Sequence, residues 1–206
     1  MRLMLEIFQK GGPLMWLILL CSVTALAVFF ERVLFYHRAS ISTPDFLRGL
    51  GVLIERHSFD EAVHESSGTP GPAARVATAI LKRADSPREL LKDFAQEAAQ
   101  LEMPRLERNL TLLATLAYVT PLIGLLGTVM GLLDSFSVIS AQGSYGTAAE
   151  IAGGVYQSLV TSGAALAVAI PAFVGFSYLN ARVDGFARDM ERVSIELIQK
   201  LTDAKR

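Results

Sequence analysis

The chain has 206 residues, a net charge of −1 and a hydrophobic content of 51%. The charge provides no basic field for a nucleic-acid partner. A single cysteine cannot build a disulfide framework, and no residue spacing indicates a metal site, a phosphate-binding loop or a catalytic nucleophile. We therefore expect no enzyme, no cofactor and no metal, and the clumping of the apolar residues favours a membrane protein.

Three stretches carry no charged residue, namely 11–30, 109–133 and 151–181. A helix needs about 20 mostly apolar residues to cross roughly 30 Å of hydrocarbon. Each stretch is long enough, and none shows the polar face that a core helix of a soluble protein usually has. The sequence thus predicts an all-α membrane protein whose three transmembrane helices span residues 13–36, 109–135 and 151–181.

The first stretch has an alternative interpretation as a cleaved signal peptide. Lys10, the apolar run and the small residues of Ala25-Leu26-Ala27 match the pattern of such a segment. The apolar run continues past that site to Phe30, however, and cleavage would leave two spans. An uncleaved membrane anchor is the favoured interpretation.

Positively charged residues predict the orientation of the three spans. The loop 136–150 contains no Lys or Arg, whereas the tail 182–206 contains several and arginines flank both ends of segment 37–108. Lys and Arg accumulate in cytoplasmic loops. We therefore expect segment 37–108 and the tail in the cytoplasm, with the N-terminal residues 1–12 and the loop 136–150 in the periplasm.

The cytoplasmic parts are predicted to be helical. Ser86-Pro87-Arg88-Glu89 is a typical helix start, and the helical pattern then runs into the second span. We expect one helix from about 87 to 135, kinked at Pro104. The third span continues into an amphipathic tail, so spans two and three both extend into the cytoplasm. The apolar stripe of the tail comprises Val183, Phe186, Met190, Val193, Leu197 and Leu201.

Small and hydroxyl-bearing residues recur at three- and four-residue intervals along the second and third spans. This spacing places them on one face of each helix. The first span has no such face, because Leu, Ile, Val and Phe occur nearly all round it. We expect it to face lipid, with Trp16 as an anchor at the membrane interface.

Two interpretations of these stripes remain open. Small residues let membrane helices approach closely, so the two spans could simply pack together. Alternatively, the stripes line a lumen that passes protons, which requires polar side chains without a permanent charge. A side-chain amide in hydrocarbon is costly unless it faces a cavity, so Gln157 favours the lumen. The candidate lining residues are Thr120, Thr128, Gln157, Ser158, Thr161 and Ser162, and the packing positions in the same stripes are Pro121, Gly124, Gly127, Gly131, Ala165 and Pro171.

Three segments carry a resemblance to a known family. They are residues 120–132 (TPLIGLLGTVMGL) followed by Phe136, residues 151–172, and the opening GGPLMW at 11–16 with Glu31-Arg32 closing the first span. At these positions, the sequence resembles the MotA/TolQ/ExbB family of proton channels, and within it the ExbB branch. The match extends over nearly the whole chain.

The resemblance implies a bacterial inner-membrane homopentamer whose second and third spans surround a central lumen. Two single-span partners of the ExbD/TolR type would sit in the lumen and supply the aspartate that carries the proton. The complex would then deliver work to a TonB-like protein for outer-membrane transport. The family's threonine on the second span falls on Thr128, and its counterpart on the third span falls on Ser162.

The sequence departs from the family pattern at two positions. Gln157 replaces a glutamate that ExbB and TolQ commonly carry, and Ala165 replaces a glycine. An amide cannot release a proton near neutral pH, so Gln157 cannot relay one as a carboxylate does. Three alternatives therefore stand beside the ExbB-like motor: a TolQ-like subunit for outer-membrane integrity, a non-conducting membrane scaffold, and a generic three-span protein with a cytoplasmic regulatory domain.

Overall fold

The computed structural model of the chain describes residues 12–142 and 148–204, and helices are the only regular secondary structure in those ranges. Residues 1–11 of the predicted N-terminal segment, 143–147 of the predicted loop and 205–206 of the predicted tail lie outside the described residues. The helices are α1 (Leu14–Ala39), α2 (Thr43–Glu55), α3 (Phe59–Gly68), α4 (Pro72–Leu81), α5 (Arg88–Glu107), α6 (Leu110–Gln142) and α7 (Ala148–Ala204).

Three of these helices, α1, α6 and α7, are long and apolar enough to cross a membrane. This confirms the prediction of an all-helical chain with three candidate spans. Helical structure extends into the predicted loop 136–150 from both sides, because α6 continues to Gln142 and α7 already begins at Ala148. Residues 136–142 contain neither glycine nor proline, so nothing in the sequence stops the helix before Gly143.

The chain divides into two compact units. The first, which we call the membrane unit, comprises Met1–Glu31 and Asn109–Tyr178, and the second unit comprises Arg32–Arg108 and Leu179–Arg206. Helices α1 and α7 contribute residues to both units. The membrane unit contains all three uncharged stretches almost completely, and the second unit contains most of the charged residues.

In the membrane unit, α1 is buried along one face rather than exposed all round. Its buried residues recur every three or four positions, and Met15 and Ile18 form a cluster with Ala165 of α7. The expectation that α1 faces lipid is therefore wrong for this buried face. Small residues on α7 leave room for the larger side chains of α1, a relation that the uniform apolar sequence of α1 does not reveal. The buried face of α1 comprises Met15, Ile18, Cys21, Ala25 and Val28.

In the second unit, large aliphatic side chains from α2, α4, α5 and α7 form the interior. Leu50, Ile80 and Leu91 are almost inaccessible to solvent. All six residues of the predicted tail stripe are buried there as well, which confirms that the end of α7 is amphipathic. Burial of these side chains removes apolar surface from water and stabilises the unit.

Helices α5 and α6 are separate, so the prediction of one helix from 87 to 135 is wrong. The break lies at Asn109, which has a φ of 62°, and not at Pro104, which lies inside α5. Asparagine is one of the few residues that adopt this left-handed conformation readily. Its side-chain Nδ2 donates a hydrogen bond to Glu31 Oε2 at 3.1 Å, which ties the start of α6 to α1.

The end of α5 is held by two side chains of α1. The Tyr36 hydroxyl donates to the Leu106 carbonyl at 2.7 Å, and Arg32 Nη1 donates to the Arg105 carbonyl at 3.3 Å. Carbonyls in the last turn of a helix have no partner within the helix, so external donors satisfy them. Both donors are nearly buried, with 4% exposure for Tyr36 and 3% for Arg32. The positive guanidinium also lies where the helix dipole favours a cation.

Replacing Tyr36 with phenylalanine removes the hydroxyl and leaves the Leu106 carbonyl without this donor. We expect Tyr36→Phe to cost about 1–3 kcal/mol, as for other buried groups that lose their partner. The melting temperature of the purified protein in detergent, followed by circular dichroism, should fall. Tyr118→Phe is the matched control, because Tyr118 is 59% exposed, and it should leave the melting temperature unchanged. Equal melting temperatures for both variants would contradict this role of Tyr36.

Candidate functional site

Helices α6 and α7 approach each other closely because glycines on α6 face small residues on α7. A Cβ atom placed on Gly124 would lie 2.6 Å from the Ala165 Cβ atom and 3.3 Å from the Ser162 Cα atom. A Cβ atom on Gly127 would lie 2.5 Å from the Thr161 Cγ2 atom. Real side chains do not tolerate such distances, so only glycine permits this spacing between the two helices.

The same contact continues toward the loop end of both helices. A Cβ atom on Gly131 would lie 2.6 Å from the Gly154 carbonyl oxygen and 2.8 Å from the Ser158 Cβ atom. Gly154 in turn lies directly against the Ser135 hydroxyl. The stripes predicted on the two spans therefore face each other within one chain. This arrangement agrees with the packing interpretation for most of their members.

Thr128 of α6 and Ser162 of α7 bring their hydroxyls into direct hydrogen-bond contact. The Ser162 hydroxyl donates to the Gly124 carbonyl at 2.8 Å. Thr128 Oγ1 also lies 3.3 Å from the Gly124 carbonyl. Because each hydroxyl has one proton, one of the two donates to this shared carbonyl while the other donates to its partner hydroxyl. Both side chains are half-buried, so the pair is accessible at the margin of the helix contact. We call Thr128 and Ser162 the hydroxyl pair.

The other three hydroxyl candidates lie inside the contact. Thr120, Ser158 and Thr161 are each 1% exposed. Each donates to a carbonyl of its own helix, at 2.6 Å for Thr120, 2.7 Å for Ser158 and 2.9 Å for Thr161. Such local bonds satisfy a hydroxyl without an external partner. In the single chain, these three residues therefore contribute to packing rather than to an accessible surface.

Gln157 is half-buried, and its side-chain amide lies against Gly12, which has a φ of 70° and precedes the first turn of α1. Gly12 is only four residues before Trp16, whose side chain is 67% exposed and typical of the membrane interface. The amide therefore lies at the end of the membrane unit at which α1 begins, and helices α6 and α7 both continue past that point. No local sequence pattern signals this contact between residues so far apart in the chain.

The hydroxyl pair lies deeper than Gln157. At 1.5 Å per helical residue, Thr128 is about 10 Å and Ser162 about 6 Å from the middle of its uncharged stretch. Half of the hydrocarbon thickness is about 15 Å. By this estimate, the pair is displaced from the middle of both stretches toward the end at which α1 begins. The Leu14 side chain of α1 lies at the level of Gly127, because a Cβ atom placed on Gly127 would be 3.6 Å from the Leu14 Cδ1 atom.

Both prolines in the stripes lie inside their helices. Pro121 of α6 is half-buried, and Pro171 of α7 is exposed. Proline has no N–H group, so the carbonyl four residues earlier loses its helical donor. Those carbonyls belong to Ala117 and Ala167. Neither proline touches the hydroxyl pair, so their effect on the site is confined to the shape of the helices.

The site contains polar groups but no charge. Residues 109–133 and 151–181 include no Asp, Glu, Lys or Arg. A hydroxyl can donate one hydrogen bond and accept others, so the hydroxyl pair can bind a carboxylate or a carboxylic acid. It cannot hold a net charge at neutral pH. The hydroxyl pair therefore offers hydrogen bonds but no group that changes its protonation state near neutral pH.

Comparison with known proteins identifies the family. The model described as the MotA/TolQ/ExbB proton channel family matches residues 69–192, a range that includes α6, most of α7 and the hydroxyl pair. The chain belongs to the MotA/TolQ/ExbB proton channel family. This confirms the resemblance in the sequence and makes the chain a membrane protein of that family.

Individual relatives extend the similarity over α1. The chain is 34% identical to a putative biopolymer transport protein ExbB-like 1 from Synechocystis sp., over 89% of this chain and 75% of the relative. It is 29% identical to a putative biopolymer transport protein ExbB homolog from Methanothermobacter thermautotrophicus, over 97% and 69%. It is 26% identical to the biopolymer transport protein ExbB of Neisseria meningitidis, over 97% of both chains. The chain is thus an ExbB-like member of its family.

The close approach of α6 and α7 can be tested by introducing leucine at each of two glycines in separate variants. Gly124→Leu forces a side chain into Ala165 and should cost about 1–3 kcal/mol, the usual range for overpacking. This lowers the melting temperature in detergent by about 2–4 °C per kcal/mol for a chain of this size. Gly163→Leu is the control, because nothing lies within 4 Å of a Cβ atom there. A Gly124→Leu protein as stable as the Gly163→Leu protein would contradict the assigned packing.

Proposed function

We propose that the chain is the channel-forming, ExbB-like subunit of an inner-membrane motor driven by the proton-motive force. It energises a TonB-like protein for outer-membrane transport, and an ExbD/TolR-like single-span partner carries the proton on an aspartate. The supporting observation is the hydroxyl pair of Thr128 and Ser162. These two hydroxyls are half-buried and lie on two closely packed helices. The stretches 109–133 and 151–181 of those helices contain no charged residue.

The absence of charge from these stretches makes a partner obligatory in this proposal. One proton crossing the membrane potential supplies about 2.3 kcal/mol per 100 mV. A protein can use that energy only if a group inside the membrane binds and releases the proton. The hydroxyl pair instead offers hydrogen bonds to the carboxylate or carboxylic acid of another chain. The glycine contacts behind it keep this polar surface at a fixed position.

Because some residues of the stripes are buried in the contact between α6 and α7, fewer of them can line the lumen. We assign Thr128 and Ser162 to the lumen, with Gln157 at its mouth near the membrane boundary. Thr120, Ser158 and Thr161 support this surface from within the helix contact, together with the small residues Gly124, Gly127, Gly131 and Ala165. A protonated carboxyl group of the partner can donate to the oxygen of either hydroxyl, and an ionised one can accept from the hydroxyl that turns away from the other.

The assembly in this proposal is a homopentamer around a central lumen. The distribution of Lys and Arg supports an N-terminus in the periplasm and a cytoplasmic location for residues 37–108 and 182–206. Membrane helices that expose apolar residues on their outer surface fit such an assembly. In α6, residues such as Leu122, Leu125 and Leu133 are more than half exposed and are free to contact lipid or a neighbouring subunit.

Gln157 favours one second candidate, a non-conducting scaffold that uses the same fold to hold partners. An amide at this position cannot exchange protons, unlike the glutamate that the family resemblance leads one to expect. The scaffold predicts no proton flux with or without the single-span partner. The motor predicts flux only when the partner is present, so a single reconstitution experiment separates the two functions.

We expect Thr128→Val and Ser162→Ala each to reduce partner-dependent proton flux at least about 10-fold, equivalent to some 1.4 kcal/mol of lost stabilisation. The chain would be co-reconstituted into liposomes with an ExbD/TolR-like single-span protein, and flux measured with a pH-sensitive dye under an imposed potential. Both variants remove a hydroxyl while keeping nearly the same volume.

Thr115→Val provides the matched control on the same helix. Thr115 is exposed, and its hydroxyl donates to the Thr111 carbonyl at 2.8 Å, so its loss should leave the flux unchanged. Native mass spectrometry should show the same assembly for all variants. Full flux in both the Thr128→Val and Ser162→Ala proteins would show that the hydroxyl pair does not line the pathway.

A further inference from the structure

A groove in the membrane unit is lined by α1 and α7, with Leu113 of α6 as a further lining residue, and it lies on a different side of α7 from the hydroxyl pair. Its volume is about 680 Å³, and its lining is mostly apolar. Several lining residues are exposed on the outer surface, including Val174 at 62% and Leu26 at 54%, so the groove opens outward. Its main walls are Leu26, Phe29, Ala167, Pro171, Val174 and Tyr178.

The groove results from the small residues of α7. Phe29 of α1 lies against Gly175, where a Cβ atom would be 2.9 Å from the Phe29 Cδ2 atom. This contact holds the two helices together at one point. Beside it, Ala167 and Pro171 do not project far enough to fill the space next to α1. The result is a depression bordered by Leu26, not a closed helix contact.

The length and depth of the groove match one leaflet of a bilayer. Ala167 lies near the middle of the uncharged stretch 151–181, and Tyr178 lies near its end. At 1.5 Å per residue, the distance along α7 between them is about 16 Å, while half of the hydrocarbon thickness is about 15 Å. Tyr178 lies at the end of the groove that would reach the membrane–water interface, where tyrosine side chains are enriched.

We infer that this groove binds one acyl chain of a phospholipid from the leaflet on the Tyr178 side. The groove belongs to helices that are able to cross a membrane, and an apolar depression offers water almost no hydrogen-bond partners. A whole helix is too large, because a cylinder about 10 Å wide with a rise of 1.5 Å has a volume of roughly 120 Å³ per residue. The groove would hold fewer than six such residues, whereas an extended acyl chain of one leaflet, about 15 Å of hydrocarbon, matches its length.

Bound lipid would complete the packing of α1 against α7. The chain would fill space that side chains leave open beside Phe29 and Gly175, and so restore dispersion contacts along the walls. This role is independent of the hydroxyl pair, since the two sites occupy different faces of α7. Loss of lipid binding would therefore leave the residues of the proposed proton pathway unchanged.

The test uses a phospholipid with a photoreactive diazirine at the middle of one acyl chain, in liposomes containing the assembled protein. After illumination, mass spectrometry should locate the label on Leu26 and Val174 at least about fivefold above Leu20 and Val23. The latter two are also exposed, at 63% and 58%, and lie on α1 outside the groove. Equal labelling of both sets would mean ordinary surrounding lipid and would overturn the proposal.

Ala167→Trp fills the groove and should reduce labelling of Leu26 and Val174 about fivefold. Leu166→Trp is its control, because Leu166 is 50% exposed but does not line the groove. A second blocking variant, Leu26→Trp, acts from α1 and should reduce labelling of Val174 in the same way. Undiminished labelling in both blocking variants, or a groove left unlabelled in the wild-type assembly because another protein chain covers it, would refute acyl-chain binding.

Discussion

The close contact of α6 and α7 is the constraint on which the membrane unit depends. Glycines at positions 124, 127 and 131 bring the backbones so near that a single methyl group on any of them would collide with α7. Within a bilayer, apolar surface alone does not drive helices together, since lipid tails are as apolar as leucine. Packing and hydrogen bonds supply the association instead. The Ser162 hydroxyl bond to the Gly124 carbonyl exists only because no side chain intervenes.

The same constraint explains why polar residues in these stripes have different roles. A hydroxyl deep in the contact bonds to its own helix, as Thr120 and Thr161 do. A hydroxyl at the margin can bond across the contact and still remain accessible, as Thr128 and Ser162 do. Exposure, not residue type, separates the two groups. Packing and lining are therefore complementary properties of one stripe and not competing explanations of it.

The fold class and the stripes could be predicted because both are local properties of the sequence. Uninterrupted apolar stretches identify the spans, and three- and four-residue spacing identifies the helix faces. The sequence could not predict which residues of the stripes are buried and which are accessible, since the exposure of Ser162 depends on where α6 lies. The Gln157 amide contacts Gly12, which is far from it in the sequence, so no local pattern predicts this contact. The break at Asn109 depends on one residue's left-handed conformation and on its bond to Glu31.

Helix α7 presents different faces to three environments, and this division limits its sequence. At 3.6 residues per turn, Ala165 and Ser162 face α6, while Val168 packs toward the cluster with α1 and Val174 lies on the outer surface. Small residues suffice on the first face because α6 comes close. On the outer flank, small residues instead leave a groove, because the side chains of α1 do not fill the space beside them. A helix made only of large apolar residues could cross the membrane but would have neither the hydroxyl pair nor the groove. The polar and small residues of α7 therefore specify its neighbours, while its overall hydrophobicity specifies only that it can cross the membrane.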